Sequence, residues 1–380
     1  MSGNYSRPYT PVSHLQNDEN RGIDLILFSS VLILCAIGSL MVFSTTAVSS
    51  NASGTIMGFF NRHILSIVLG VVLAFIAFNI SPYTYKKIAV PLLIISVFSL
   101  AIVLILGRSA GGATRWIQLG GLRVQPGEFV KLVTVIAMAT YVDNFREKLG
   151  SFVYGVMIPM GALCVFAVLF LLQPDFGSTT VIFLVAGCQL FLVVGLSHFL
   201  SLGMVGVVAG GFLVALSPYR MRRFLAFLDP FSDPSSSGYQ LIQSLIAVGS
   251  GGILGEGLGV GRQKLFYLPA AHTDFIFAVI SEEFGMIGAL TVLTLFLVIL
   301  VRGLKIAFKL SEDLFMSSFA FGLTILIVLP ALLNMAVVLG MVPTKGLVLP
   351  FISYGGTAML VSCIAMGMLL RLSVESPYEH

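Results

Sequence analysis

The stretch Ala271-His-Thr-Asp-Phe-Ile-Phe-Ala-Val-Ile-Ser-Glu-Glu-Phe-Gly-Met-Ile-Gly-Ala-Leu-Thr-Val-Leu-Thr-Leu-Phe-Leu-Val-Ile-Leu-Val301 reads as a membrane-crossing helix with a charged threshold. Its apolar part, 275–301, exceeds the roughly 20 residues needed to span hydrocarbon. At its mouth stand His272, Thr273 and Asp274. An ionised carboxylate at a membrane boundary costs several kcal/mol unless it is hydrated, paired or used. The alternative is local: Thr273 or Asp274 starts the helix by capping its orphan amides. Glu282 and Glu283 lie two turns deeper, as packing partners or members of a proton network.

The rest of the chain repeats this pattern. Of 380 residues, 57% are hydrophobic and 10% charged, with mean hydropathy +1.00, where soluble domains carry about 25% charge. An all-α polytopic membrane protein is expected, with about ten transmembrane helices over 25–43, 64–80, 88–106, 129–142, 152–172, 178–194, 199–216, 275–301, 314–339 and 358–370. The polar, proline-containing residues 1–22 read as a disordered tail, 23–373 as a single transmembrane domain and 374–380 as a short second tail. Nothing resembles an independent soluble domain or a nucleic-acid-binding module. Cys35, Cys164, Cys188 and Cys363 fall in apolar stretches without CxxC spacing, which argues against a disulfide framework or a zinc site.

Two connections interrupt the apolar runs. The first, about 107–126, is rich in glycine, ends in proline and holds the only Trp, Trp116; it reads as a compact turn-rich loop. Trp116 suits an interfacial anchor or a sugar-stacking role. The second, about 217–273 between helices 7 and 8, contains turn chemistry at 229–238 and an amphipathic run at 239–248 suited to a membrane surface. Gly255-Glu-Gly-Leu-Gly-Val-Gly261 lacks a preceding strand and reads as flexible backbone close to a substrate. Ten spans place both termini on one side, with basic connections at Lys86-Lys87, Arg146 to Lys148 and Arg302 to Lys309. The opposite side, which includes Arg62, Arg115, Arg123, Arg220, Arg222 and Arg223, is nearly as basic, so charge counting alone comes close to a tie. Its cations are chiefly arginines, whose forks suit phosphate and diphosphate oxygens.

Four motifs, in order, resemble those of the SEDS family of polytopic cell-wall polymerases: Gln173-Pro-Asp-Phe-Gly177, Gly238-Tyr-Gln-Leu-Ile-Gln-Ser244, the Tyr267 to Gly285 run, and Pro350-Phe-Ile-Ser-Tyr-Gly-Gly356. Pro343-Thr-Lys-Gly-Leu347 points to the division branch more than the elongation branch. The resemblance settles the charge tie as N-in and C-in. It implies a peptidoglycan glycosyltransferase at the bacterial cytoplasmic membrane that polymerises lipid II at the division septum. It also implies a class B penicillin-binding transpeptidase and other division proteins as partners, beside nascent glycan and membrane lipid.

By this resemblance Asp274 is the candidate catalytic residue, and the chemistry agrees: a carboxylate can take the proton of an acceptor hydroxyl. Arg115, Lys131, Arg220, Arg223 and Lys345 are the cations available for the departing diphosphate. Glu128 lies three residues from Lys131, so the two can neutralise each other as a structural pair or as part of the site. Asp175 serves as a turn cap or, as the resemblance implies, a functional residue. Gln243, Ser244, His272, Thr273, Ser353 and Gly355 complete the supporting set, and Asn334 reads as helix–helix glue. Mg or Mn could share the diphosphate work, although no Asp-x-Asp-like cluster specifies one. A lipid II flippase, an elongation- or sporulation-type polymerase and a non-catalytic scaffold are the rival readings.

Overall fold

A computed structural model describes residues 22–49, 56–110, 113–119, 122–234, 238–261, 268–269 and 271–375. Of the expected tails 1–22 and 374–380, residues 1–21 and 376–380 lie outside the described residues, as do Arg262 and Lys264 of the long connection, while Val374 ends the last helix. Twelve α-helices are described: α1 Leu25–Ser49, α2 Ile56–Asn79, α3 Pro82–Leu106, α4 Pro126–Asn144, α5 Ile158–Leu172, α6 Phe176–Phe191, α7 Leu196–Ala215, α8 Pro218–Leu228, α9 Tyr239–Ser250, α10 Ile276–Lys309, α11 Leu314–Val338 and α12 Gly356–Val374. Each of the ten apolar stretches falls on one of them, leaving α8 and α9 to the long connection.

Seven described helices are long and apolar enough to cross a membrane, or eight if the bent pair Gly203–Ala215 and Pro218–Leu228 is one span. Length and composition alone thus pick out seven or eight of the ten expected helices, all ten of which are present. The shortfall has a physical origin in α4 and α6. Helix α4 carries Glu128, Lys131 and Asp143, and α6 has 16 residues, or about 24 Å of rise. Both run through the interior, with most of their residues buried or half-buried. A helix whose neighbours are protein does not need the apolarity that lipid demands. Helices α11 and α12 are the most enclosed spans, whereas α2 turns most of its surface outward and packs against α12.

The 107–126 connection is not a plain loop. It forms a three-stranded antiparallel sheet, β1 Arg108–Ala110, β2 Ala113–Leu119 and β3 Leu122–Val124, in the order β1-β2-β3. Trp116 pairs with Arg108, and Gln118 with Arg123. A Gly-Gly pair separates each strand from the next in the sequence, which is hairpin chemistry.

Helix α10 is broken at Gly285, whose φ of 63° and ψ of −159° belong to a region open essentially to glycine. The glycine-rich connection fills the break: Glu256 N and Gly257 N donate to the carbonyls of Glu282 and Glu283 at 3.0 and 3.1 Å, and Met286 N donates to Gly252 O at 2.9 Å. A side chain at Gly261 would meet the Glu282 carboxylate at 2.8 Å. The glycines of 255–261 thus lie against the interrupted helix. Ser44 of α1 donates to both carboxylate oxygens of Glu283, at 2.8 and 3.0 Å, so this acid is a packing partner between α1 and α10.

Candidate active site

Asp274 lies one residue ahead of Phe275, the N-cap of α10, so neither it nor Thr273 caps the helix, and two side chains from the last third of the chain hold the segment 271–275 in place. Asn334 of α11 donates to Asp274 O at 2.7 Å and to Leu347 O at 2.5 Å. Ser353 Oγ donates to Thr273 O at 2.7 Å while accepting from Leu349 N at 2.8 Å. Tyr354 N donates to His272 O at 3.0 Å. Asn334 therefore joins two loops, where helix–helix glue was expected. The 341–355 connection is itself tensioned: Phe351, fully buried, sits at φ 64°, a costly conformation for a bulky residue.

These loops close one end of a cavity of about 600 Å³. Arg115, Glu128, Lys131, Asp175, His272, Thr273, Asp274 and Gly355 all line it, so residues spread over 240 positions of sequence meet around one space. Apolar side chains line it too: Leu326 and Ile327 of α11, Leu360 and Val361 of α12, and Leu65 and Leu69 of α2. Polar and lipid-like surfaces thus share one continuous wall.

Burial raises the Asp274 carboxyl from 3.8 to about 6, and the nearby guanidinium groups of Arg223 and then Arg115 work against that rise. Such a group is ionised at neutral pH and more basic than a free carboxylate. Gly346 makes room for it: a methyl group there would come within 2.8 Å of Asp274 Oδ2. Burial pushes His272 below its usual range, so its imidazole is neutral near pH 7.

Lys131 and Glu128 form the expected buried pair at 2.7 Å. Asp175 caps α6, accepting from Ser178 N at 3.1 Å and Ser178 Oγ at 2.8 Å, yet it also faces Arg115 at 3.8 Å. One carboxylate thus caps α6 and lines the cavity at the same time. Arg115 is fixed further by the carbonyls of Gln173 and Pro174.

The other three expected cations do not line the cavity. Lys345 Nζ and the Arg220 guanidinium lie over the Phe176 ring, 5.0 and 5.2 Å from its centre, and Lys345 also donates to Thr180 Oγ1 at 3.3 Å. Arg223 donates to Thr344 O at 3.5 Å. Gln243 and Ser244 are on α9 and do not line the cavity; Ser244 Oγ donates to Val338 O at 2.8 Å, tying α9 to α11. Among the described residues no group of three His, Cys, Asp or Glu side chains is placed to hold a metal ion.

Sequence reasoning missed the contribution of α2. Phe59, Arg62 and Ser66 line the cavity, and their spacing of three and four puts them on one helical face. Phe59 packs edge-on to Tyr354 with ring centres 5.5 Å apart. Trp116 and Arg123 reach the same space from the small sheet, and Thr357, which accepts from Gln125 N at 3.1 Å, reaches it from α12.

The sequence profile of the FtsW/RodA/SpoVE cell cycle proteins matches residues 24–378. The chain belongs to this family. Probable peptidoglycan glycosyltransferases FtsW from Legionella pneumophila and Geobacter sp. (strain M18) are 42% and 40% identical to it, over 94% and 93% of this chain and 92% and 97% of theirs. Among solved structures, a chain from a peptidoglycan synthase complex, described as coordinating polymerization and crosslinking, superposes with a TM-score of 0.76 at 30% identity, covering 94% of this chain and 99% of that one. Thermus thermophilus RodA, a rod shape determining protein, gives 0.68 at 26% identity, covering 93% and 97%. Family membership and the apolar helices together make this chain a multi-pass membrane protein of FtsW type.

Proposed function

We propose that this FtsW-type protein is a peptidoglycan glycosyltransferase that polymerises lipid II into β-1,4 glycan during septal wall synthesis. The observation that supports this most is a single basic carboxylate, Asp274, in a cavity lined by both cations and apolar side chains. The substrate has the same two-part character, a diphosphate-linked disaccharide on a polyprenyl tail. Asp274 takes the proton of the acceptor glucosamine 4-hydroxyl as its oxygen attacks the anomeric carbon. The anomeric C–O bond breaks, and the diphosphate leaves with the electron pair toward Arg115 and Lys131, with Arg220, Arg223 and Lys345 adding positive potential. Attack opposite an α-linked diphosphate inverts the centre. Glu128 and Asp175, engaged by Lys131 and by Ser178 and Arg115, leave Asp274 without a nucleophilic carboxylate partner, which favours direct displacement.

The protein works in the cytoplasmic membrane of a bacterium, N-in and C-in, with a class B transpeptidase crosslinking its product among other division proteins. A flippase needs charged groups along a path through the bilayer, whereas α11 and α12 give the cavity no charged side chain.

The test is lipid II polymerisation by the chain purified with its transpeptidase, comparing wild type and Asp274→Asn. Loss of glycan strands by about 10²–10⁴-fold is expected. Equal strands from both proteins remove Asp274 from the chemistry, and lipid II translocation without strands favours the flippase. Folding is checked in parallel. Because the native Asp274 binds its proton more tightly than an unfolded carboxyl, ionising it costs stability above about pH 6 and nothing below its ordinary value near 3.8. The Asn variant therefore melts higher than wild type at pH 8, and the gap closes as the pH falls toward 4.

A further inference from the structure

Helix α8 is built differently from the helices around it. It follows the 203–215 part of α7 after a bend of 108°, so if α7 crosses the bilayer, α8 runs close to the bilayer plane. Its sequence, Pro-Tyr-Arg-Met-Arg-Arg-Phe-Leu-Ala-Phe-Leu, carries three arginines and no acid. Ala226 is its one buried residue, and the exposed face includes Leu225 and Leu228, 54% and 64% accessible. On α7, Val208 and Phe212 are likewise exposed.

Helical phase separates the three arginines. Arg220 and Arg223 turn inward, to Leu213 O at 3.0 Å and to Thr344 O at 3.5 Å. Arg222 points out beside Leu225, and among the described residues no carboxylate pairs with it. A short helix with an apolar exposed face and a cation at its edge has the composition of an in-plane interfacial helix. Helix α9, which also looked amphipathic in sequence, buries its apolar face on the protein through Leu241 and Ala247.

We propose that α8 lies in the bilayer surface at the Asp274 end of the bundle, and that Arg222 binds the phosphate of an anionic phospholipid headgroup there. Charge complementarity selects an anionic over a zwitterionic lipid, and exposed apolar side chains on a helix bent 108° from the membrane-length α7 select the bilayer over a protein partner. The bound lipid fixes the helix from which Arg220 and Arg223 reach toward the site. Surface charge of the membrane thereby enters the electrostatics of Asp274.

The test places a fluorescent donor at Leu228→Cys in a Cys164→Ser background, with the full chain reconstituted in phosphatidylcholine vesicles, with and without its transpeptidase. Energy transfer is read to trace acyl-chain-labelled phosphatidylglycerol or phosphatidylcholine. The expected result is roughly fivefold local enrichment of phosphatidylglycerol, the equivalent of about 1 kcal/mol per arginine at an anionic surface. Arg222→Gln should abolish the enrichment and Arg222→Lys keep it. Equal transfer to both lipids, or enrichment that survives Arg222→Gln, overturns the headgroup site. No transfer to either lipid, with the label shielded from aqueous iodide only when the transpeptidase is bound, overturns the in-plane placement and makes α8 a protein contact.

Discussion

Replacing Arg223 by Gln should move the pH dependence of the enzyme as well as its rate. Asp274 stands at about 6 because burial raises it more than Arg223 and Arg115 lower it, with Arg223 the larger of the two opposing charges. An adjacent opposite charge shifts a carboxyl by about 1–3 units. The half-buried Arg223, in contact with Thr344 O only at 3.5 Å, belongs at the low end. Its loss then carries Asp274 to about 7. At pH 7 the ionised fraction falls from about nine-tenths to about one-half, and at pH 6 from about one-half to about one-tenth. The assay is the initial rate of lipid II polymerisation at subsaturating substrate between about pH 5 and 9, where the acid limb reports the base in the free enzyme. In wild type that limb should lie near 6, and in Arg223→Gln about one unit higher, with the rate recovering toward pH 8. A variant whose rate drops by the same factor at every pH, with the limb unmoved, would refute the argument and leave Arg223 as a substrate contact alone.

Two further outcomes test the packing around the site. Glu128→Gln leaves Lys131 buried without its partner and should lower stability by about 3–5 kcal/mol, whereas Glu128→Gln with Lys131→Met restores most of it; equal melting of the single and double variants in detergent would contradict a buried pair. Gly285→Ala forces a side chain into a backbone region that costs of order 1–3 kcal/mol, and its methyl group would meet Ile253 O at 2.5 Å. An unchanged melting temperature there would mean that α10 is not interrupted.

Apolar run lengths were enough to place ten helices along the chain, because lipid-facing helices declare themselves residue by residue. They did not set the number of independently membrane-competent spans, since α4 and α6 are sheltered by protein and need not read as lipid-soluble. The strands at 108–124 were legible only as Gly-Gly pairs between short alternating segments, a signal the high glycine content made easy to take for a loop. At the site, Asp274, Arg115, Lys131, Glu128 and Asp175 were each suspect because a charge in an apolar chain needs a reason. Arg62 and Ser66 of α2 were not singled out, since one sequence does not tell which face of an exposed helix turns to the cavity. Gln243 and Ser244 were marked by a family motif alone; neither lines the cavity, and Ser244 ties α9 to α11.

The double donation by Asn334 also sets an order of events during synthesis. Asp274 is translated 60 residues before the amide that holds it, and Leu347, the other carbonyl on that amide, follows 13 residues later. At about 5–20 residues per second, the delay between Asp274 and Asn334 is several seconds. Throughout that interval the nascent chain carries its base on a segment with neither Asn334 nor Ser353 to hold it. A ribosome stalled before α11, or a gene truncated there, yields a membrane-inserted chain that has every early cation and the carboxylate itself but no assembled cavity. Completion of the polypeptide is thus its own licence to act on substrate.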